Sequence, residues 1–353
     1  MKRTARATAC GKVILLGEHA VVYGVPALAA GIDRGARAEV TLTPDAPAST
    51  LALGNATFTA NAEGPLDVER AFAALLDSPG SEADRAPSPP PGAARETPPP
   101  STTEAPPLLV QASAESDLPA GGGLGSSAAI GVALARAIEE LTGPEGPERS
   151  PRVLRRALAW ERVFHGNPSG IDTHAAAHGG TFRFVRGAPA TPVHLATDLW
   201  LCVGLSGAGA STKTMVEGLA RLFDRKPDLK ARSIDAIRAL VVNAALAIEA
   251  GDVEGLGKLM DLNHMVLAGL FLSTESLERL CHLARAAGAL GAKLTGSGGG
   301  GSVIALVPPP APGEEGPSPV AGAVLSAWRD AGFDGFVTRI AGHPHAHGHH
   351  DHG

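Results

Sequence analysis

Lys12, Glu161 and Asp172, together with a glycine-rich stretch that ends in two serines, are the residues of this chain whose types and spacing suit a chemical reaction. The stretch reads Pro119-Ala120-Gly121-Gly122-Gly123-Leu124-Gly125-Ser126-Ser127-Ala128, in which four of five consecutive residues are glycine. Backbone without Cβ atoms lets main-chain N–H groups converge on an anion. The small residues that follow open a helix, and a helix N-terminus offers N–H donors and a partial positive charge to a phosphate. Phosphoryl transfer needs such a cradle, oxygen ligands for Mg²⁺, a cation near the reacting oxygen and a carboxylate to take the hydroxyl proton. Mg²⁺ keeps several waters, so one hydroxyl and one carboxylate beside the nucleotide phosphates suffice. Taken singly, each residue has a plainer reading: a flexible glycine loop, a strand-edge lysine, a first-turn carboxylate that favours its helix.

The elements that must hold these residues can be read from periodicity. Residues 108–113 form a strand entering the loop, and Ile130, Val132, Ala133, Leu134, Ala137, Ile138 and Leu141 give the next helix an apolar face. Strand, glycine loop and helix is the context a phosphate-binding motif requires. Residues 13–16 form a short apolar strand, a second apolar stretch covers 20–30, and residues 37–43 alternate like a half-buried strand. A helix over 152–164 carries Glu161 and breaks at the Pro-Ser-Gly turn before Asp172, where another begins. Strands follow at 181–185 and 199–205, helices at 213–223, 233–250, 253–270 and 274–287, and strands at 292–295 and 303–307 flank the glycine run 296–301. A helix at 321–331 and a strand at 336–340 complete an α+β chain whose second part fits a split βαβ or ferredoxin-like domain.

A chain of 353 residues holds one large or two medium domains. The boundary is placed near 195, giving 1–195 and 196–341, with a His-rich tail over 342–353. Residues 78–107 turn to Pro, Ser, Ala, Glu and Thr and are expected to form a disordered or polyproline-like insertion in the first domain. With 44% apolar and 19% charged residues and a net charge of −6, the composition is that of a soluble globular protein without the basic face of a nucleic-acid binder. No apolar run reaches the roughly 20 residues of a membrane span, and the start lacks a signal-peptide core. Cys10, Cys202 and Cys281 offer neither a disulfide framework nor a zinc spacing, so the expected compartment is the cytoplasm. The run 296–301 also satisfies G-x-G-x-x-G, but a strand follows it, whereas a dinucleotide fingerprint opens a helix.

Three segments together resemble the motifs of the GHMP kinases, in the form found in the mevalonate kinase family. Cys10-Gly11-Lys12-Val13-Ile14-Leu15-Leu16-Gly17-Glu18-His19 is similar to the first motif, with Cys10 where family members usually have proline. The stretch from Pro119 to Ala128 matches the second position by position, and Lys293-Leu294-Thr295-Gly296-Ser297-Gly298-Gly299-Gly300-Gly301 resembles the third. His165-Gly166-Asn167-Pro168-Ser169-Gly170-Ile171-Asp172 looks like the region of the family's catalytic aspartate, and Ser211-Thr212-Lys213-Thr214 like the start of a substrate-side helix.

The resemblance implies a two-domain fold, with a ribosomal protein S5 domain 2-like N-terminal domain and a ferredoxin-like C-terminal domain. It implies ATP and Mg²⁺ as cofactors, the 5-hydroxyl of mevalonate as acceptor and a homodimer. By matched position, Asp172 is the catalytic base and Lys12 steadies the hydroxyl's developing charge. Gly121, Gly122, Gly123, Leu124, Gly125, Ser126, Ser127 and Ala128 bind the nucleotide, Ser127 and Glu161 hold the metal, and Glu18, His19 and Thr212 line the substrate pocket. A phosphorylated acceptor would need extra Lys or Arg, and none crowds the motifs. A nucleotide sensor without activity has no need of Lys12, Glu161 and Asp172.

Overall fold

The computed structural model describes residues 3–78, 108–143, 146, 149–166, 168–207, 209–314 and 316–342. The Pro-rich insertion and the His-rich tail lie outside the described residues, apart from Ser78 and Gly342. Contacts divide the chain into two units, each discontinuous in sequence: Met1–Thr8, Arg37–Glu115 and Gly131–Gly166 in the first, and Ala9–Ala36, Ser116–Ile130 and Asn167–Gly353 in the second. Two long paired strands, β1 (Thr4–Leu16) and β2 (Ala27–Leu42), contribute residues to both units.

In the first unit, β3 (Thr50–Leu53) pairs antiparallel with β4 (Ala56–Thr59) and parallel with β5 (Val110–Ser116). Val110, Ala112 and Ala114 point inward while Gln111, Ser113 and Glu115 point out, the period-2 pattern of a strand with one wet face. Helix α1 (Asp67–Leu76) buries Phe72, Leu75 and Leu76 and packs against α3 (Arg149–His165). Helix α2 (Ser126–Thr142) approaches α3 closely at Gly131, where a Cβ would stand 2.7 Å from the Trp160 ring. Glu139 of α2 is buried with Arg156 (2.5 Å) and Arg152 (2.5 Å) as its partners. Arg156 also donates to the carbonyls of Leu75 and Leu76, so a buried cation satisfies orphan acceptors at the end of α1.

In the second unit, the start of β2 pairs antiparallel with β6 (Thr181–Phe184), which pairs with the short β7 (Thr191–Pro192). The apolar stretch read over 20–30 is a 3₁₀ turn, Ala20–Tyr23, followed by β2, because Gly24 at φ 77° breaks the run. Four further strands, β8 (Leu199–Leu205), β9 (Gly291–Thr295), β10 (Ser302–Val307) and β11 (Asp334–Ile340), form an antiparallel sheet in the order β11-β8-β10-β9. With helices between β8 and β9 and α9 (Pro319–Asp330) between β10 and β11, this is the ferredoxin-like arrangement expected from the element order. Every residue of β9 and β10 is buried, which explains the apolar run 303–307 of β10. Helices α7 (Val253–Gly269), α8 (Glu275–Ala286) and α9 pack against this sheet, and α4 (Ile171–His178), α5 (Thr212–Arg225) and α6 (Pro227–Ala250) complete the unit.

Candidate active site

The second unit contains all three glycine-bearing motifs and Asp172 with the turn before it. Lys12 lies in β1, 3% exposed, and its N–H donates to the carbonyl of Leu124 in the glycine loop at 2.9 Å. Its ammonium stands 3.3 Å from Asp172 Oδ1. Asp172 occupies the first turn of α4, which starts after Gly170 at φ 88°. A first-turn carboxylate complements the partial positive charge of its helix N-terminus.

Gly121, Gly123 and Gly125 take φ of 71°, 72° and 78°, while Leu124 between them is buried and anchors the loop. A Cβ on Gly125 would stand 3.2 Å from Lys12 Cγ, so the glycine lets loop and lysine approach. Ser302 Oγ donates to the carbonyl of Gly122 at 2.7 Å, joining the second motif to the strand after the third. The helical ladder of α2 begins with the Ala129 N–H bonded to Gly125 O, downstream of Ser126, Ser127 and Ala128. Ser126 and Ser127 are half-buried, Ala128 is buried, and Ser126 Oγ lies 3.1 Å from Ser116 Oγ. At the entry to the loop, a cavity of about 380 Å³ is lined by Arg34, Ser116, Asp117, Leu118, Pro119 and Phe336 among others.

On the other side of Lys12, Thr295 Oγ1 accepts from Ile14 N–H (2.9 Å), tying β1 to β9. His19 is buried and its Nε2 lies 2.8 Å from the carbonyl of Ser297. Burial holds the imidazole pKa below its usual value, against the opposing effects of that carbonyl and of Glu18. The carbonyl accepts, so Nε2 carries the proton and Nδ1 is the acceptor. Thr212 is exposed at the first turn of α5, behind the Ser211 cap, with Oγ1 3.4 Å from Ser297 Oγ. Glu18 faces inward: Lys293 donates to one carboxylate oxygen and Asn263 Nδ2 to the other, at 3.1 Å.

The structure therefore brings Lys12, Asp172, Glu18, His19, Thr212 and residues 121–128 into one unit. Glu161 belongs to the first, where it is 2% exposed and 3.6 Å from His165 Nε2. Among the described residues no three His, Cys, Asp or Glu side chains converge on a metal position. Ser127 of the second unit offers a hydroxyl, a hard oxygen donor of the kind Mg²⁺ accepts when phosphates and water complete its set. Sequence reasoning passed over Asn263 and gave no role to Lys293. The signal was a polar pair, Asn263-His264, on the face of α7 that also buries Met260 and Leu267.

Residues 102–180 match the GHMP kinases N terminal domain and residues 244–324 the GHMP kinases C terminal. The chain belongs to the GHMP kinase family. Within it, the curated relatives it resembles include mevalonate kinases. That of Methanothermobacter thermautotrophicus is 35% identical over 318 residues, covering 87% of this chain and 91% of the relative. That of Pyrococcus abyssi is 32% identical and covers 97% of each. The crystal structure of L. major mevalonate kinase in complex with R-mevalonate matches with a TM-score of 0.76 and 27% identity, over 96% of this chain and 97% of that one. Among the described residues no helix is long and apolar enough to cross a membrane.

Proposed function

We propose that this chain is a mevalonate kinase: it transfers the terminal phosphoryl group of ATP to the 5-hydroxyl of mevalonate, giving 5-phosphomevalonate. The observation that carries the reading is the Lys12–Asp172 contact of 3.3 Å, made where the lysine's own backbone is bonded to the glycine loop. It puts a cation and a carboxylate beside a phosphate cradle. Relatives of the same name along nearly the whole chain support the choice of acceptor.

In this reading, Asp172 takes the proton from the 5-hydroxyl and Lys12 offsets the charge that develops on its oxygen. The amides of the glycine loop and the start of α2 hold the phosphates, so the transferred group and the attacking oxygen are aligned without a phosphoenzyme. Ser127 would help to hold Mg²⁺, which when bound neutralises phosphate charge. His19 and Thr212, both near Ser297, are the acceptor side.

The test is an ADP-release assay with mevalonate, phosphomevalonate, homoserine and galactose as acceptors. Turnover confined to mevalonate is expected. A preference for any of the other three overturns the assignment.

A further inference from the structure

The second unit contains an ion pair that this chemistry does not use. Glu18 and Lys293 are paired with both side chains fully out of solvent. The Lys293 ammonium also donates to the carbonyls of Leu294 (2.6 Å) and Ile14 (3.4 Å), which exhausts its three protons. Glu18 is equally committed, to Lys293 and to Asn263. Both partners pay desolvation, so a buried pair of this kind is a poor source of stability against an apolar replacement. Its consequence lies in the backbone beside it.

His19 sits at φ 60°, ψ −42°, and the N–H of Ala20 donates to the carbonyl of Glu18 at 2.6 Å. That i to i+2 bond around a positive φ is the rare and strained form of γ-turn. Such backbone persists only where its surroundings over-determine it. Two anchors do so here: the Glu18 side chain held by Lys293, and the His19 ring held by the carbonyl of Ser297. Both come from one short segment, the end of β9 and the first turn of the glycine run after it. The pair therefore fixes one end of a strained turn whose centre is His19, the residue assigned above to the acceptor side.

We propose that the Glu18–Lys293 ion pair is a positioning device for the alcohol substrate, which holds the γ-turn that aims His19 and so acts on mevalonate binding without touching mevalonate. The proposal rests on mevalonate being the acceptor.

The test is steady-state kinetics and thermal melting of the full chain carrying Glu18→Gln, Lys293→Met or both. Each single change strands a polar or charged partner, whereas the double change removes both charges, so its melting temperature recovers relative to the Lys293→Met chain. The expected KM for mevalonate remains raised about tenfold or more in the double variant, with KM for ATP within about twofold of the unmodified chain. The two changes act through one turn, so their effects on that KM do not add. A double variant with an unaltered mevalonate KM overturns the proposal, because the pair then serves folding alone. So does a raised KM in Glu18→Gln with none in Lys293→Met, because Glu18 then meets the substrate itself. If the charge variants do not fold, Asn263→Ala carries the test: it loosens Glu18 and keeps both charges, and a mevalonate KM raised about threefold or more is expected, with no change overturning the idea. Failure of the unmodified chain to phosphorylate mevalonate is a different result, and it removes the functional reading instead.

Discussion

Lys12 and Asp172 meet as an unequal pair: the lysine side chain is 4% exposed and the aspartate 36%, with 3.3 Å between Nζ and Oδ1. The cation is fixed in the protein and the carboxylate opens to solvent. That asymmetry suits a division of labour in which Asp172 reaches the substrate hydroxyl and Lys12 supports the charge that forms.

Lys12→Met keeps most of the buried stem and removes the charge. The expected outcome is a fall in kcat of about 10²-fold or more in the ADP-release assay, the scale seen when a donor to a developing oxyanion is lost. An unchanged kcat contradicts the role given to Lys12.

Gly125→Ala places a Cβ at φ 78°, 3.2 Å from Lys12 Cγ. The strain costs about 1–3 kcal/mol, and the contact pushes the lysine from the loop. A lower melting temperature and a KM for ATP raised about tenfold are expected. Gly187→Ala, at φ 81° with open space around it, is the control: melting falls and the KM for ATP does not change.

His174, two residues after Asp172, has its pKa lowered to about 4, first by burial and then by His178, whose ring stacks on it at 4.4 Å. The folded state therefore resists a proton that the unfolded chain accepts near pH 6.5. Stability from this group is full above pH 6.5 and is lost as pH falls toward about 4. His174→Phe removes the titrating group and should narrow the gap between the melting temperatures measured above pH 6.5 and at about pH 4. An unchanged gap contradicts the assignment.

Arg156→Ala leaves the buried Glu139 with Arg152 as its remaining ion partner and frees the carbonyls of Leu75 and Leu76. Removing one member of a buried pair costs about 3–5 kcal/mol, which urea unfolding should register as a lower midpoint. A midpoint like that of the unmodified chain contradicts this.

Local signals account for what could be read before the structure. The apolar run of β8 and the periodic faces of α5 to α8 needed only near neighbours, and so did the strand, loop and helix around Gly121. Other elements left weaker traces. β1 extends back to Thr4 through a Thr-Ala-Arg-Ala-Thr-Ala segment whose small residues blur the alternation. No element was assigned over residues 44–77, where β3 and β4 are only four residues each and α1 has ten. In the site, residue types pointed to Lys12 and Asp172, but their contact depends on pairings far apart in the chain. The Glu18–Lys293 pair was hidden for the same reason: Lys293 is buried against Ile14 and Glu18, which lie far away in the sequence.

The most direct measurement is the kcat of Asp172→Asn with mevalonate, alongside direct titration of ATP binding. With Asp172 as the base, kcat falls by about 10²-fold or more while the affinity for ATP stays within about twofold. Turnover close to that of the unmodified chain, at unaltered ATP affinity, contradicts the account.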